Sequence, residues 1–308
     1  MGTAFISHHE CALHDMGSGH PECPERLWAI RDQLIASGLL AHLVEHEAPL
    51  ASHEAIRRVH AQRYIQMLEE SVPRHGHVHL DPDTAMNSHS LRAAMRAAGA
   101  VELAADLVLT AKVERAFCAV RPPGHHAERS RAMGFCFFNN VAVGAAHALD
   151  HHGLARVAVV DFDVHHGNGT ENIFQDDPRV LMVSTFQHPF YPYSGIDGRS
   201  PRMVNIPLPA RSDGRQFRAA VETHWLPALE SFAPECLFIS AGFDAHREDD
   251  MASLGLMEAD YAWVTQTLVD VAKRHCKGRI VSVLEGGYAL SALGRSVVAH
   301  VKTLAELQ

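Results

Sequence analysis

Asp161-Phe162-Asp163-Val164-His165-His166-Gly167-Asn168-Gly169-Thr170 follows directly on the apolar run Val157-Ala158-Val159-Val160. The run reads as a parallel strand buried on both faces. Charged groups at the end of such a strand are costly to desolvate unless something neutralises them. Side chains two apart on an extended strand share a face, so Asp161, Asp163 and His165 are expected to point together. An oxygen ligand and an imidazole on one face suit a divalent metal such as Zn²⁺. Taken alone, the stretch would read more readily as a solvated loop after a strand. The rest of the chain reverses that.

Working outward, strand-like and helical runs alternate. Ala116–Val120, Val157–Val160, Leu181–Ser184, Cys236–Ser240 and Ile280–Leu284 read as strands. Leu27 to Leu40, Ser90 to Leu109, Asn140 to His151, Arg215 to Glu230, Glu258 to Arg274 and a segment from Ser291 read as helices. Up to about Thr110 the sequence looks largely helical after a short opening strand. Alternation of this kind predicts an α/β fold with parallel strands and helices on both faces. No repeat or linker divides the chain, and one domain over residues 1–308 is expected.

Composition narrows the function classes. The chain has 308 residues, 47% hydrophobic and 20% charged, a globular profile without a disordered tract. A formal charge of −9 argues against a nucleic-acid binder, which would carry a basic stripe. No apolar run reaches the roughly 20 residues that span a bilayer. The N-terminus lacks the basic and apolar regions of a signal peptide, so a cytoplasmic location is expected. The six cysteines form no C-x-x-C pair and suit reduced thiols. The 24 histidines include two tandem pairs, His125-His126 and His165-His166, that need explaining.

Four strands end in clusters of chemically active residues: Arg121-Pro122-Pro123-Gly124-His125-His126, the opening stretch, Ala241-Gly242-Phe243-Asp244-Ala245-His246, and Glu285-Gly286-Gly287-Tyr288. Ligands of open α/β sheets bind beyond the carboxyl ends of the strands. If these strands are neighbours, the four clusters share one pocket. Asp163, His165 and Asp244 would then give three ligands to one metal and leave positions for water and substrate. Such a metal lowers the pKa of its water and polarises a carbonyl. His125 and His126 are both candidates to take the water's proton and return it to a leaving amine. Asp161 and Asn168 lie close at hand as partners for them. Tyr288, on a glycine turn, could donate to the developing oxyanion. The expected reaction is metal-assisted amide hydrolysis.

These residues give the chain its resemblance to the histone deacetylase and acetylpolyamine amidohydrolase superfamily, most closely to the class II branch and its bacterial homologues. The matching motifs are RPPGHHA (Arg121–Ala127), GFCFFNN (Gly134–Asn140), DFDVHHGNGT (Asp161–Thr170), AGFDAH (Ala241–His246) and LEGGY (Leu284–Tyr288), with an N-terminal match over His8–Leu27. The resemblance implies an arginase-like three-layer α/β/α sandwich around a parallel sheet of about eight strands. It implies one Zn²⁺ per chain on Asp163, His165 and Asp244, although the ligands would also accept Fe²⁺. His126 resembles the family's general base and acid, with Asn168 as a neutral partner where class I members carry Asp. His125 resembles the electrostatic partner, paired with Asp161, and Tyr288 the transition-state tyrosine. Phe135 and Tyr191 resemble the walls of the acyl-lysine tunnel, the tyrosine standing where Phe is commoner. Gly134, Gly286 and Met251 are expected to line the substrate site. Arg26 resembles an arginine of an internal acetate channel. A structural K⁺ is implied at Asp161, Asp163, His165, Ser184 and Thr185, and a more peripheral one near Phe174, Asp177 and Val180.

Substrate choice is less constrained. Polyamine-specific relatives place a glutamate at the gate, where this chain aligns the apolar Met251. That favours an acetylated lysine over a small acetylated amine, although a shifted loop could present Glu248, Asp249 or Asp250 instead. The acidic run by itself reads as a solvated loop. The competing readings are an acetylpolyamine amidohydrolase and a non-catalytic acyl-lysine binding module; the intact ligands, His126 and Tyr288 argue against the latter. An arginase-like binuclear manganese site is disfavoured by His166, Gly167 and Asn168 where further carboxylates would be needed. Neither a nucleic-acid nor a membrane partner is expected, and a homo-oligomer is compatible with the sequence.

Overall fold

Each apolar run marked as a strand by the sequence enters one parallel sheet. The computed structural model of the chain describes residues 2–198 and 200–307. In chain order the strands are β1 (Thr3–Ser7), β2 (Leu43–Glu47), β3 (Val78–Asp81), β4 (Thr84–Met86), β5 (Arg115–Cys118), β6 (Val157–Asp161), β7 (Val180–Gln187), β8 (Met203–Leu208), β9 (Leu237–Ala241) and β10 (Ile280–Leu284). The helices are α1 (Glu25–Ala36), α2 (His53–Val59), α3 (Gln62–Glu70), α4 (Ser90–Leu109), α5 (Asn140–Asp150), α6 (Asn168–Phe174), α7 (Gly214–Ala220), α8 (Leu226–Phe232), α9 (Glu258–His275) and α10 (Leu290–Leu304). The eight-stranded sheet runs β2-β1-β5-β10-β9-β6-β7-β8, and β3 and β4 form a separate antiparallel hairpin.

Neighbouring residues on β5 show the layering. The Phe117 ring meets His300 of α10, and the Cys118 thiol meets the Ala100 carbonyl of α4. Consecutive strand residues face opposite sides, so α4 and α10 lie on opposite faces of the sheet. α5 packs beside α4, and α1 and α9 pack beside α10. The central strands β5, β6, β9 and β10 are buried at every residue, as a sheet covered on both faces requires. One continuous apolar core surrounds them.

Two expectations change. The first third of the chain is less helical than its pattern suggests, since it holds β2 and the β3–β4 hairpin. β2 and β8 are the two edges of the sheet, and their half-exposed residues break the apolar run that betrays a central strand. The helix expected at Arg215 to Glu230 is three pieces, because Val221–Trp225 winds as a π-helical turn between α7 and α8.

Candidate active site

β5, β10, β9 and β6 are consecutive in the sheet, so the four segments that follow them converge at one edge. Asp163, His165 and Asp244 come together there, all buried. His165 Nδ1 lies 3.0 Å from Asp163 Oδ1 and 3.2 Å from Asp244 Oδ2. Asp163 Oδ2 accepts the Gly286 N–H at 2.8 Å, and Asp244 Oδ1 accepts the Val164 N–H at 3.0 Å. Asp244 Oδ2 has no hydrogen bond among the described residues. Two glycines keep the space clear: a Cβ at Gly286 would sit 2.0 Å from Asp244 Oδ2, and one at Gly242 would sit 2.1 Å from Asp163 Oδ2. Burial and the Asp163 charge lift Asp244 to about 6, while His125 and His165 outweigh burial at Asp163 and hold it below the usual carboxylate range. Burial opposes a charged His165, but the two carboxylates overcome it and raise the imidazole to about 10. Two buried carboxylates and an imidazole nitrogen aimed at one point form a donor set that fits a divalent metal.

The tandem histidines are adjacent in sequence and opposite in character. His125 Nδ1 is 2.9 Å from Asp161 Oδ2, and its Nε2 is 3.8 Å from Asp163 Oδ1. With a carboxylate facing each nitrogen, its pKa rises well above the ordinary value despite burial. His126 Nδ1 is 2.7 Å from Asn168 Oδ1, whose amide nitrogen donates to Glu128 Oε1 at 2.9 Å. Because the Asn168 amide nitrogen is engaged, its oxygen faces His126, so Nδ1 of His126 carries the proton and Nε2 keeps its lone pair. Burial and the charges of His125 and His165 push His126 well below the usual value. A Cβ at Gly134, whose φ is +56°, would strike the His126 ring at 2.3 Å.

A pocket of about 140 Å³ opens from these groups, lined by Phe135, Phe190, Tyr191, Met251, Tyr288 and Gly134 among others. Phe190 stacks on His165 at 5.6 Å, and Tyr191 sits edge-on to His126 at 5.3 Å. The Tyr191 hydroxyl has no partner among the described residues. Burial keeps the Tyr288 phenol protonated, pushing its pKa well above the usual value against the pull of Arg26. The Arg26 guanidinium lies 4.9 Å from the Tyr288 ring centroid and donates to the carbonyls of Gly287, at 2.7 Å, and Glu285. It thereby braces the turn that presents the tyrosine.

Of the residues expected from the sequence, His125, His126, Gly134, Phe135, Tyr191, Met251, Gly286 and Tyr288 line this pocket, and Asp161 and Asn168 stand behind the two histidines. His166, for which the sequence offers no catalytic role, turns away to Glu171 at 2.6 Å. Asp161 also accepts the Asp163 N–H at 3.1 Å and lies in register with Ser184 on β7. The Ser184 hydroxyl is buried without a partner among the described residues, which suits an oxygen-ligated cation beside Asp161. Further out, Phe174, Asp177 and Val180 lie on successive turns, where the carbonyls of Phe174 and Asp177 each accept a backbone N–H.

Three further carboxylates support the site in ways the sequence does not assign. Glu285 accepts the N–H groups of Gly124 at 2.6 Å and His125 at 3.1 Å, fixing the tandem histidines to the end of β10. Burial raises it to about 7. Like Asp161, Glu285 is a carboxylate at the end of a buried apolar strand, and that position is its signal in the sequence. Asp249 is no solvated loop residue: it is buried and accepts the N–H groups of Tyr288 at 2.6 Å and Ala289 at 2.9 Å. Glu248 instead points outward to Arg295 at 2.9 Å, and Asp250 is exposed. Asp83, on the β3–β4 hairpin, lines the pocket and accepts the Gly134 N–H at 3.2 Å. No local pattern marked it.

Residues 20–304 match the family described as histone deacetylase domain. The chain is 38% identical to a histone deacetylase-like amidohydrolase of Pseudomonas aeruginosa over 88% of its length and 73% of the relative's. It is 37% identical to the polyamine deacetylase HDAC10 of Homo sapiens over 99% of its own length, spanning 48% of that protein. The crystal structure of the HDA15 HD domain superposes with a TM-score of 0.92 at 33% identity, covering 99% of this chain and 88% of that one.

Proposed function

Since the chain belongs to the histone deacetylase domain family, we propose that it is a zinc-dependent deacetylase of N-ε-acyl-lysine that releases a carboxylate and the free amine. The observation that carries the reading is the pairing of the Asp163–His165–Asp244 cluster with two adjacent histidines held in different protonation states. Zn²⁺ held by these three residues would acidify its water and polarise the substrate carbonyl. His126 Nε2, with its lone pair free, accepts the proton of the attacking water and passes it to the amine nitrogen as the C–N bond breaks. His125, kept cationic by Asp161, stabilises negative charge beside it. The Tyr288 hydroxyl, which retains its proton, donates to the developing oxyanion. K⁺ beside Asp161, Ser184 and Thr185 would steady the strand end that carries the ligands.

The pocket supports an acyl-lysine because Met251 stands at its rim and neither Glu248 nor Asp249 turns toward it. One observation favours the second reading, an acetylated small amine: the Asp83 carboxylate lines the same rim and could meet a distant ammonium. Kinetics on acetyl-lysine peptides beside acetylated putrescine and spermidine separate the two. The peptides are expected to have the higher kcat/KM, and a hundredfold preference for the polyamines would reverse the order. Chelation is expected to abolish turnover, with about one Zn²⁺ per chain restoring it. A requirement for two Mn²⁺ would overturn the mononuclear mechanism.

A further inference from the structure

The sequence His147-Ala148-Leu149-Asp150-His151-His152 spaces two imidazoles four apart at the end of α5, with a third next to them. Residues four apart share one helix face. The His147 and His151 rings stack with centroids 4.6 Å apart and planes 11° apart, and His152 lies edge-on to both, at 5.2 and 5.0 Å. α4 supplies Asp106, whose Oδ1 is 2.8 Å from His147 Nε2 and 2.7 Å from His152 Nε2. One ligand atom from each of the four residues lies within 4.8 Å of all the others. The active site is at the other end of α5, where Asn139 and Asn140 bond the carbonyls of Ala127 and Pro122. An 11-residue helix puts roughly 16 Å between the two ends.

We propose that Asp106, His147, His151 and His152 form a second divalent-cation site, for a borderline transition metal such as Zn²⁺, that clamps α4 to α5. Three imidazoles and one carboxylate supply the four ligands that a closed, four-coordinate zinc site needs. Ca²⁺ and Mg²⁺, which want mainly oxygen, are poorly served. Hydrogen bonding alone accounts for Asp106 with His147 and His152. It does not account for His151, whose ring offers the stacked His147 no hydrogen bond. The far side of His147 is also furnished for a ligand. When Nε2 binds a metal, Nδ1 carries the proton and needs an acceptor, and Glu102 Oε1 stands 3.8 Å away. Arg58 Nη1, now 3.0 Å from Nδ1, must then turn aside; its guanidinium already pairs with Glu54 at 2.7 Å. A carboxylate behind a ligating histidine is the common arrangement at metal sites.

The test uses the holoenzyme, equilibrated with Zn²⁺, freed of excess metal and analysed for zinc per chain. About two equivalents are expected, falling to about one in a His151→Ala/His152→Ala variant with deacetylation unchanged. Asp106→Asn, which keeps the shape of the side chain, is expected to lose the same equivalent. With Co²⁺ exchanged for Zn²⁺, the parent protein should add the visible absorption of a four-coordinate site that is missing from both variants. One equivalent in the parent protein, or an unchanged count and Co²⁺ spectrum in the variants, would overturn the proposal. Asp244→Asn is expected to remove the other equivalent alone, so failure of the active-site metal is read separately.

Discussion

At the ends of β6 and β9, Asp163, His165 and Asp244 are buried and ringed by glycines, whereas Asp106, His147, His151 and His152 lie between two helices with His151 open to solvent. The residue types are the same and the surroundings are not. In the strand-end cluster burial removes solvent screening, so neighbouring groups push one another's pKa values apart, as at His125 and His126. On the proposed reading, a metal held by these three residues would keep room for a reacting carbonyl. In the helix cluster a fourth ligand closes the set, and His151 and part of Asp106 reach solvent. One arrangement suits chemistry, the other a clamp.

Substitutions can break that contrast. Asp244→Asn is expected to have the largest effect, removing the catalytic metal and lowering kcat/KM by at least about 10⁴-fold; retained activity with metal lost would detach the cluster from catalysis. His126→Ala should lower kcat by about 10²–10⁴-fold with bound metal unchanged. Tyr288→Phe should cost about 10²–10³-fold in kcat with little change in KM. An unchanged kcat would remove the phenol from the mechanism.

Asn168→Asp sharpens the comparison in a different way. A carboxylate beside Nδ1 favours the protonated imidazole and raises the His126 pKa. The base must be neutral to act, so the acidic limb of the kcat/KM profile should move to higher pH, by about 1–3 units. A limb that stays in place would assign it to another group. The smallest effect is expected at the helix cluster, where His151→Ala/His152→Ala should change kcat/KM by less than about twofold, within the range of surface substitutions. A tenfold loss would show that the two regions are coupled through α5.

Much of the active site was legible because its residues sit in short runs beside strong strand signals. Asp161, Asp163 and His165 follow one apolar strand, and Asp244 and Tyr288 follow two others. The central strands were legible for the same reason, being buried on both faces. The edge strands β2 and β8 were not, since most of their residues are only partly buried or exposed. In sequence Asp249 is indistinguishable from its acidic neighbours Glu248 and Asp250; only the folded loop turns it under Tyr288.

From residue order alone came the alternating α/β pattern, the polar clusters at strand ends and the types of group available for hydrolysis. Only the tertiary structure decided which clusters meet. β5, β6, β9 and β10 are scattered along the chain, and strand order in the sheet, not sequence distance, makes them neighbours. It also decided what each group does when it arrives. His125 and His126 are chemically identical side chains, yet with a carboxylate facing one and an amide facing the other their pKa values move in opposite directions. Charge on a buried group depends on what lies within a few ångströms of it, and that distance is a property of the fold.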